Sequence, residues 1–222
     1  MSAAELQFLS LGDSAITVVV GDGISRERSA DVTRLTRAVT NAKIDGVLDV
    51  VPSYASFAVY YDPRRLGHEM ITNGLRETIA LAGERSASVA AADTQGKTIR
   101  IPTRYDGEDL ADVAVKTGLS RDRIVELHSS PEYRVYVIGF VPGFAYLGEL
   151  DEALVLARRA TPRKRVPAGS VAIAEAQTGI YPFATPGGWH LIGTTQVSMF
   201  DVAAPDPALL RVGDTVIFEP ID

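Results

Sequence analysis

Tyr133-Arg134-Val135-Tyr136-Val137-Ile138 is an apolar, β-branched run. It breaks at once into Gly139-Phe140-Val141-Pro142-Gly143-Phe144-Ala145-Tyr146-Leu147-Gly148. A basic run follows, with Arg158, Arg159, Arg163, Lys164 and Arg165 punctuated by Pro162. Then come Val166-Pro167-Ala168-Gly169-Ser170-Val171 and Thr185-Pro186-Gly187-Gly188-Trp189. Glycine and proline at this density mark disorder when hydrophobic residues are scarce. Here they alternate with aromatic and β-branched residues, which disordered chains lack. The stretch therefore reads as ordered, tightly turned loops between short strands, a construction that lets backbone amides approach a ligand closely.

Downstream, short strands are expected over 153–156, 170–174, 179–181, 190–192, 197–200 and 215–219. Turn signals such as Arg211-Val212-Gly213-Asp214 separate them. Upstream, 97–101 reads as a strand stopped by Pro102 and 109–117 as a short helix ended by Gly118. Ser120 N-caps a second helix through Leu127, with His128 near its C-terminus. Strands this short and this closely spaced predict a β-barrel or sandwich with a helical insertion near its start.

Nearer the N-terminus the period changes. Strands at 6–11 and 15–20 flank the turn pair Gly12-Asp13. Beyond Ser25, residues Val32, Leu35, Val39 and Ala42 lie at helical spacing. Strands at 47–51 and 56–61 end at Pro52 and at Asp62-Pro63, and a second helix buries Ile71, Leu75, Ile79 and Ala82. The order β-β-α-β-β-α predicts a small α+β domain, its sheet antiparallel or mixed with both helices on one side. Residues 85–96 are rich in Ala and Ser and lack a periodic apolar face, so they read as a linker. The expected organisation is an N-terminal domain over 1–84, the linker, and a barrel domain over 97–222.

Of the 222 residues, 46% are hydrophobic, enough for a sizeable core; the net charge of −6 argues against bulk nucleic-acid binding. Cysteine is absent, which excludes disulfides, thiolate chemistry and zinc–sulfur sites and fits a reducing, cytoplasmic setting. Met1-Ser2-Ala3-Ala4-Glu5 shows no basic region leading into an apolar core, so no signal peptide is expected. No apolar run approaches about 18 residues, so no membrane span is expected. The three histidines show no His-x-x-x-His spacing, so no dedicated metal site is expected. No Walker-type phosphate loop, Gly-x-x-x-x-Gly-Lys-Ser/Thr, occurs.

Four motifs carry a resemblance when taken in order. They are Gly139-Phe140-x-Pro142-Gly143-Phe144-x-Tyr146-Leu147, Arg159-x-x-Pro162-Arg163, Val166-Pro167-Ala168-Gly169-Ser170-Val171 and Pro186-Gly187-Gly188-Trp189. Together they resemble the KipI/PxpB family, also labelled allophanate hydrolase subunit 1 or the B-type subunit of 5-oxoprolinase, whose domains are similar to carboxyltransferase subdomains C and D. Weaker matches are Ile101-Pro102 with Tyr105, Gly107-Glu108-Asp109-Leu110, His128 and Gly213-Asp214. Gly12-Asp13, Val51-Pro52-Ser53-Tyr54 and Tyr61-Asp62-Pro63 extend the similarity over almost the whole chain. One departure stands out. Where the family usually has Gly-Arg-Thr-Pro, this chain has Gly193-Thr194-Thr195-Gln196, without that arginine and proline.

The resemblance implies a small α/β domain followed by a cyclophilin-like β-barrel. It also implies a homologous partner, the C-type subunit of 5-oxoprolinase (allophanate hydrolase subunit 2), and in 5-oxoprolinase a third subunit. The implied activity is ATP-dependent opening of 5-oxoproline to L-glutamate. Magnesium would arrive on the nucleotide, and ATP would bind either to this chain alone or only with the partner. Two alternatives come with the family: a carboxyltransferase subunit of the allophanate hydrolase or urea carboxylase kind, and a binding protein that inhibits a sensor histidine kinase. A free cyclophilin-like isomerase is disfavoured, since a shared barrel does not transfer activity.

Lactam opening needs groups that hold anions and steady a developing oxyanion. Arg159 and Arg163 are first choices for anion binding, because a guanidinium fork suits carboxylate and phosphate and Pro162 stiffens the segment between them. The other reading is a solvated basic loop, or one facing a partner. His128 is a candidate general acid/base or, alternatively, a helix-end residue complementing the dipole; His68 and His190 have weaker cases. Phe140, Pro142, Gly143, Phe144, Gly187, Gly188 and Trp189 pair open backbone with aromatic walls for a small ring. Tyr146 and Tyr181 are candidate donors to a carbonyl, or simply satisfied barrel tyrosines. Gly169 and Ser170 join the substrate-binding set. Ser170 lacks a Gly-x-Ser-x-Gly elbow and is not read as a nucleophile. The segment 133–195 is expected to form one wall of a cleft, completed by a partner.

Overall fold

The computed structural model describes residues 6–84 and 96–222. They belong to two compact units, Met1–Gln95 and Gly96–Asp222. Apart from Gly96, the expected linker lies outside the described residues. No helix among them is long and apolar enough to cross a membrane.

In the first unit, runs rich in β-branched and aromatic residues make strands β1 (Gln7–Ser10), β2 (Ala15–Val19), β3 (Val47–Pro52) and β4 (Ser56–Tyr61), the last with clear alternation. They form an antiparallel sheet in the order β1-β2-β4-β3. Helices α1 (Arg26–Ala42) and α2 (His68–Glu84) bury Val32, Leu35, Val39, Ile71, Leu75 and Ile79 in one core with Ile16, Val18, Phe57 and Val59 of the sheet. Ser25 caps α1 through Arg28 N–H at 3.2 Å. His68 is exposed at the start of α2.

The second unit begins with β5 (Thr98–Arg104), α3 (Leu110–Thr117), α4 (Arg121–Ser129), β6 (Tyr133–Ile138) and β7 (Ala145–Gly148). It continues with β8 (Arg163–Val166), β9 (Ser170–Ala174), β10 (Gln177–Ile180), β11 (Thr185–Gly187), β12 (His190–Thr194) and β13 (Thr215–Ile221). Seven of these strands close a barrel in the order β10-β7-β6-β13-β5-β12-β9, so the expected α+β class with a barrel is what the chain adopts. β5 and β13 pair in parallel from Thr98↔Thr215 to Arg104↔Ile221. β5 runs through Pro102 instead of stopping there: β12 meets β5 only at Arg104, so the proline sits where one flank of the strand is unpaired. Val135, Leu147, Val171, Ile173, Ile192 and Phe218 fill the interior, with Leu110, Val113 and Ile124 of the two helices.

Three local expectations need correction. Residues 152–154 form a 3-10 turn rather than a strand, because the Asp151 carboxylate takes the Ala153 N–H at 2.9 Å. The segment 197–200 is a loop with one bridge, Phe200↔Ala208; the Thr195 hydroxyl takes the Val197 N–H at 3.2 Å. The basic run is not a loop throughout, since Arg163–Val166 is β8, paired with β11 in a separate two-stranded ribbon.

That ribbon creates a second apolar layer. On β9, Val171 and Ile173 point into the barrel, while the alternate Ala172 and Ala174 share a cluster with Val166, Phe144, Tyr181, Trp189 and Leu191. Phe144, Tyr181 and Trp189 thus pack on the outer face of the barrel wall, beneath the β8–β11 ribbon.

Candidate functional site

The loop leading into α3 lies along β12. Gly107 N–H donates to the Ile192 carbonyl at 3.2 Å and Asp109 N–H to the Leu191 carbonyl at 2.9 Å. Asp109 occupies the N-cap position of α3, where an aspartate ordinarily takes a helix N–H, yet its side chain makes no capping bond. Instead one carboxylate oxygen accepts from Arg159 Nη1 at 2.6 Å and Arg163 Nη2 at 2.7 Å. The other accepts from Leu191 N–H at 2.7 Å. The Asp109 side chain is only 5% exposed and Arg163 18%. Burial pushes the Asp109 carboxyl up, but the Arg163 and Leu191 hydrogen bonds and the charges of both arginines outweigh it and hold the carboxyl below its ordinary range. The same contact raises Arg163.

Both arginines found in the sequence therefore converge, but on an internal carboxylate rather than as a free basic loop. Glu108, largely exposed, adds a second acid 3.3 Å from Arg163. Arg159 Nε and Arg163 Nη1 are buried and have no hydrogen-bond partner among the described residues. A fork held rigidly by one acid, with donors left open, is suited to a further anion. Local structure places it. Arg159 N–H donates to the Gly188 carbonyl at 2.8 Å, Arg163 faces Gly187 across the ribbon, and Pro162 backs Gly188. Sequence reasoning does not single out Asp109; its only signal is Gly107-Glu108-Asp109-Leu110 at the start of a helix.

Beside the arginines stands the aromatic layer. The Phe144 ring meets Tyr146, Tyr181, Trp189 and Phe140 edge-on at centroid distances of 5.0, 5.3, 5.5 and 5.6 Å. Burial raises the Tyr181 hydroxyl, against the opposing pull of the Trp189 backbone N–H, so Tyr181 stays a protonated donor at neutral pH; burial raises Tyr146 as well. Arg158 lies near enough for its charge to act on both hydroxyls. A Cβ on Gly187 would collide with the Tyr181 hydroxyl, which explains the glycine. Phe140 is 60% exposed with φ 68°, at the centre of a three-residue turn closed by Val141 N–H on the Gly139 carbonyl at 2.8 Å. Pro142 is exposed beside it, and Gly143 is buried against Phe200.

Across β12, a pocket of about 110 Å³ is lined by residues including Gly107, Glu108, Ser170, Leu191, Gly193 and Thr194. Gly169 has φ 77° and packs directly on the Thr195 carbonyl, a conformation and a spacing that exclude a side chain. The Ser170 hydroxyl donates to the Pro167 carbonyl at 2.8 Å. Thr194, in the segment where the family usually carries an arginine, donates to Asp106 at 2.8 Å.

His128 is elsewhere. It lies inside the barrel, fully buried, with its ring 4.5 Å from that of Phe218. Nε2 is 2.8 Å from the Thr178 hydroxyl, whose own proton goes to the Ala172 carbonyl at 3.0 Å; Nδ1 is 2.8 Å from the Tyr105 hydroxyl. Nε2 therefore carries the proton and Nδ1 accepts one. Burial lowers its pKa to about 3. The side chain bonds Tyr105 and Thr178, so the structure does not bring His128 together with Arg159 and Arg163, which meet at Asp109. Among the described residues, no group of three or more His, Cys, Asp or Glu side chains is arranged to hold a metal ion.

Residues 6–210 match the family model described as carboxyltransferase domain, subdomain C and D. The chain is 41% identical over 214 residues to the B-type subunit of 5-oxoprolinase from Escherichia coli, covering 95% of this chain and 94% of that one. It is 35% identical over 219 residues to the protein of the same name from Bacillus subtilis, covering 96% and 91%. The crystal structure of TTHA0988 superposes with a TM-score of 0.82 at 40% identity; it covers 94% of this chain, which spans only 40% of that longer protein. With the match running through both units, the chain belongs to the carboxyltransferase subdomain C and D family.

Proposed function

We propose that this chain is a subunit of an ATP-hydrolysing 5-oxoprolinase, acting with a homologous partner of the C type and a further subunit. The end-to-end similarity to proteins named as the B-type subunit of 5-oxoprolinase carries the reading. The site supports it chemically. Arg159 and Arg163, steadied by Asp109 and with two N–H donors open, fit the carboxylate of 5-oxoproline or a phosphate. The exposed Phe140 and the half-buried Tyr146, backed by Phe144 and Trp189, offer aromatic surface to its ring. Bound with magnesium, ATP would give its γ-phosphoryl group to the lactam oxygen with ADP leaving; one water would add to the activated carbon, the C–N bond would break to free the amine, and a second water would release phosphate from the resulting acyl phosphate to leave glutamate. Gly96-Lys97-Thr98 has Ala91 where a Gly-x-x-x-x-Gly-Lys-Ser/Thr phosphate loop needs its first glycine, so the partner completes the nucleotide site in this reading.

The test is co-expression with the chains encoded beside it, followed by assay of 5-oxoproline-dependent ATP hydrolysis. Turnover is expected, and Arg163→Ala should lower kcat/KM by about 100-fold or more, the scale of a lost charged contact, while the subunits still co-purify. Absence of turnover with every neighbour, together with inhibition of a histidine kinase's autophosphorylation, would overturn the reading.

A further inference from the structure

His190 is buried at the start of β12. Its Nε2 lies 3.0 Å from the Ala157 carbonyl. A carbonyl only accepts, so Nε2 carries the proton. Nδ1 is buried without a hydrogen-bond partner among the described residues, and Asp112 on α3 is 3.9 Å away and already bonded to Lys116 at 2.7 Å. Burying an acceptor without a donor is unfavourable, so stability alone favours an apolar side chain here.

The surroundings supply a reason for keeping the imidazole. Two residues beyond Ala157, Arg159 N–H returns a bond to the Gly188 carbonyl at 2.8 Å. Segment 157–159 is thus strapped to segment 188–190 by two bonds of opposite direction. The next residue, Leu191, gives its N–H to Asp109, and Asp109 holds the Arg159 guanidinium. These contacts form a closed circuit: His190 to Ala157, along the chain to Arg159, across to Asp109, to Leu191 and back to His190.

We infer that His190 is a positioning residue: through the Ala157 carbonyl it fixes the backbone from which Arg159 reaches the anion site. The role rests on the proposed assignment of Arg159 to substrate binding. Glutamine can place an amide N–H where Nε2 stands; leucine cannot. In the full chain, His190→Leu should speed hydrogen exchange at the Arg159 amide by about tenfold, the scale of one lost hydrogen bond. In the reconstituted assembly it should raise KM for 5-oxoproline by a similar factor with kcat little changed, because a displaced Arg159 loses binding common to ground and transition states. His190→Gln should restore both. Unchanged exchange and KM in His190→Leu would overturn the inference. So would failure of His190→Gln to restore them, which is also the deciding comparison if the leucine variant does not fold. If the wild-type assembly lacks 5-oxoproline turnover, the functional reading fails on its own, and the exchange measurement still decides the role of His190.

Discussion

Inside the barrel, His128 has both ring nitrogens occupied and the Tyr133 hydroxyl donates to the His128 carbonyl at 2.9 Å. Outside the barrel wall, Arg159 and Arg163 each keep a buried N–H without a partner among the described residues. Both clusters bury polar atoms within the same unit, and both span the chain by about the same distance: His128 meets Thr178, and Asp109 meets Arg159, each fifty residues on. They differ in saturation. A network whose donors and acceptors are all used can only specify packing. A network with open donors on a fixed scaffold has capacity for a ligand. Histidine chemistry alone does not tell these apart; the hydrogen-bond accounting does.

The contrast is most sharply broken at Asp109. Asp109→Ala leaves two guanidinium groups packed together without their shared anion, and should cost about 3 kcal/mol of stability in urea unfolding, with loss of turnover in the assembly. Unchanged stability would show that the carboxylate is not the anchor. Acid separates the two clusters next. His128 has a folded pKa near 3 against an ordinary 6.5, so between these values the unfolded chain binds more protons. Stability should fall as pH falls through that window, by up to about 1.4 kcal/mol per pH unit. The Asp109 carboxyl is depressed in the folded protein, so its contribution persists down to its ordinary value of 3.8 and is lost only below it. Urea midpoints that do not move between pH 7 and pH 5 would contradict this ordering. The smallest effect is expected at Phe140, where a bulky residue stands at positive φ. Phe140→Gly relieves that strain, loses the edge contact with Phe144 and gains unfolded-state entropy. Stability should therefore change by no more than about 0.5 kcal/mol, while KM for 5-oxoproline rises severalfold. A large loss of stability would make Phe140 a packing residue.

Much of the scaffold can be read from the sequence because its signals are local. Alternation in Ser56–Tyr61 and helical spacing of Val32, Leu35 and Val39 each follow from the face a residue buries. β8 escapes this logic: Arg163, Lys164 and Arg165 read as solvated, and only Val166 turns into the apolar layer. The site is half legible. Arg159, Arg163 and the glycine–aromatic motifs stand out by type and spacing. Asp109 looks like an ordinary helix start, since nothing near it shows that its carboxylate turns away from the cap. His128 reads as a catalytic candidate for the same reason: its environment is set by Tyr105 and Thr178, which are distant in sequence, and by burial that no local pattern encodes.

The parallel pairing of β5 with β13 sets the order in which the protein can be made. Lys97 N–H already depends on the Asp214 carboxylate, 117 residues later. While the ribosome is still adding the segment between them, β5 and β6 each wait with an edge that only β13 can cover. In the first unit, by contrast, the described strands pair with one another alone, in the order β1-β2-β4-β3. Until β13 is made, the second unit is therefore an open, adhesive half-barrel, and that strand converts the exposed intermediate into a closed wall.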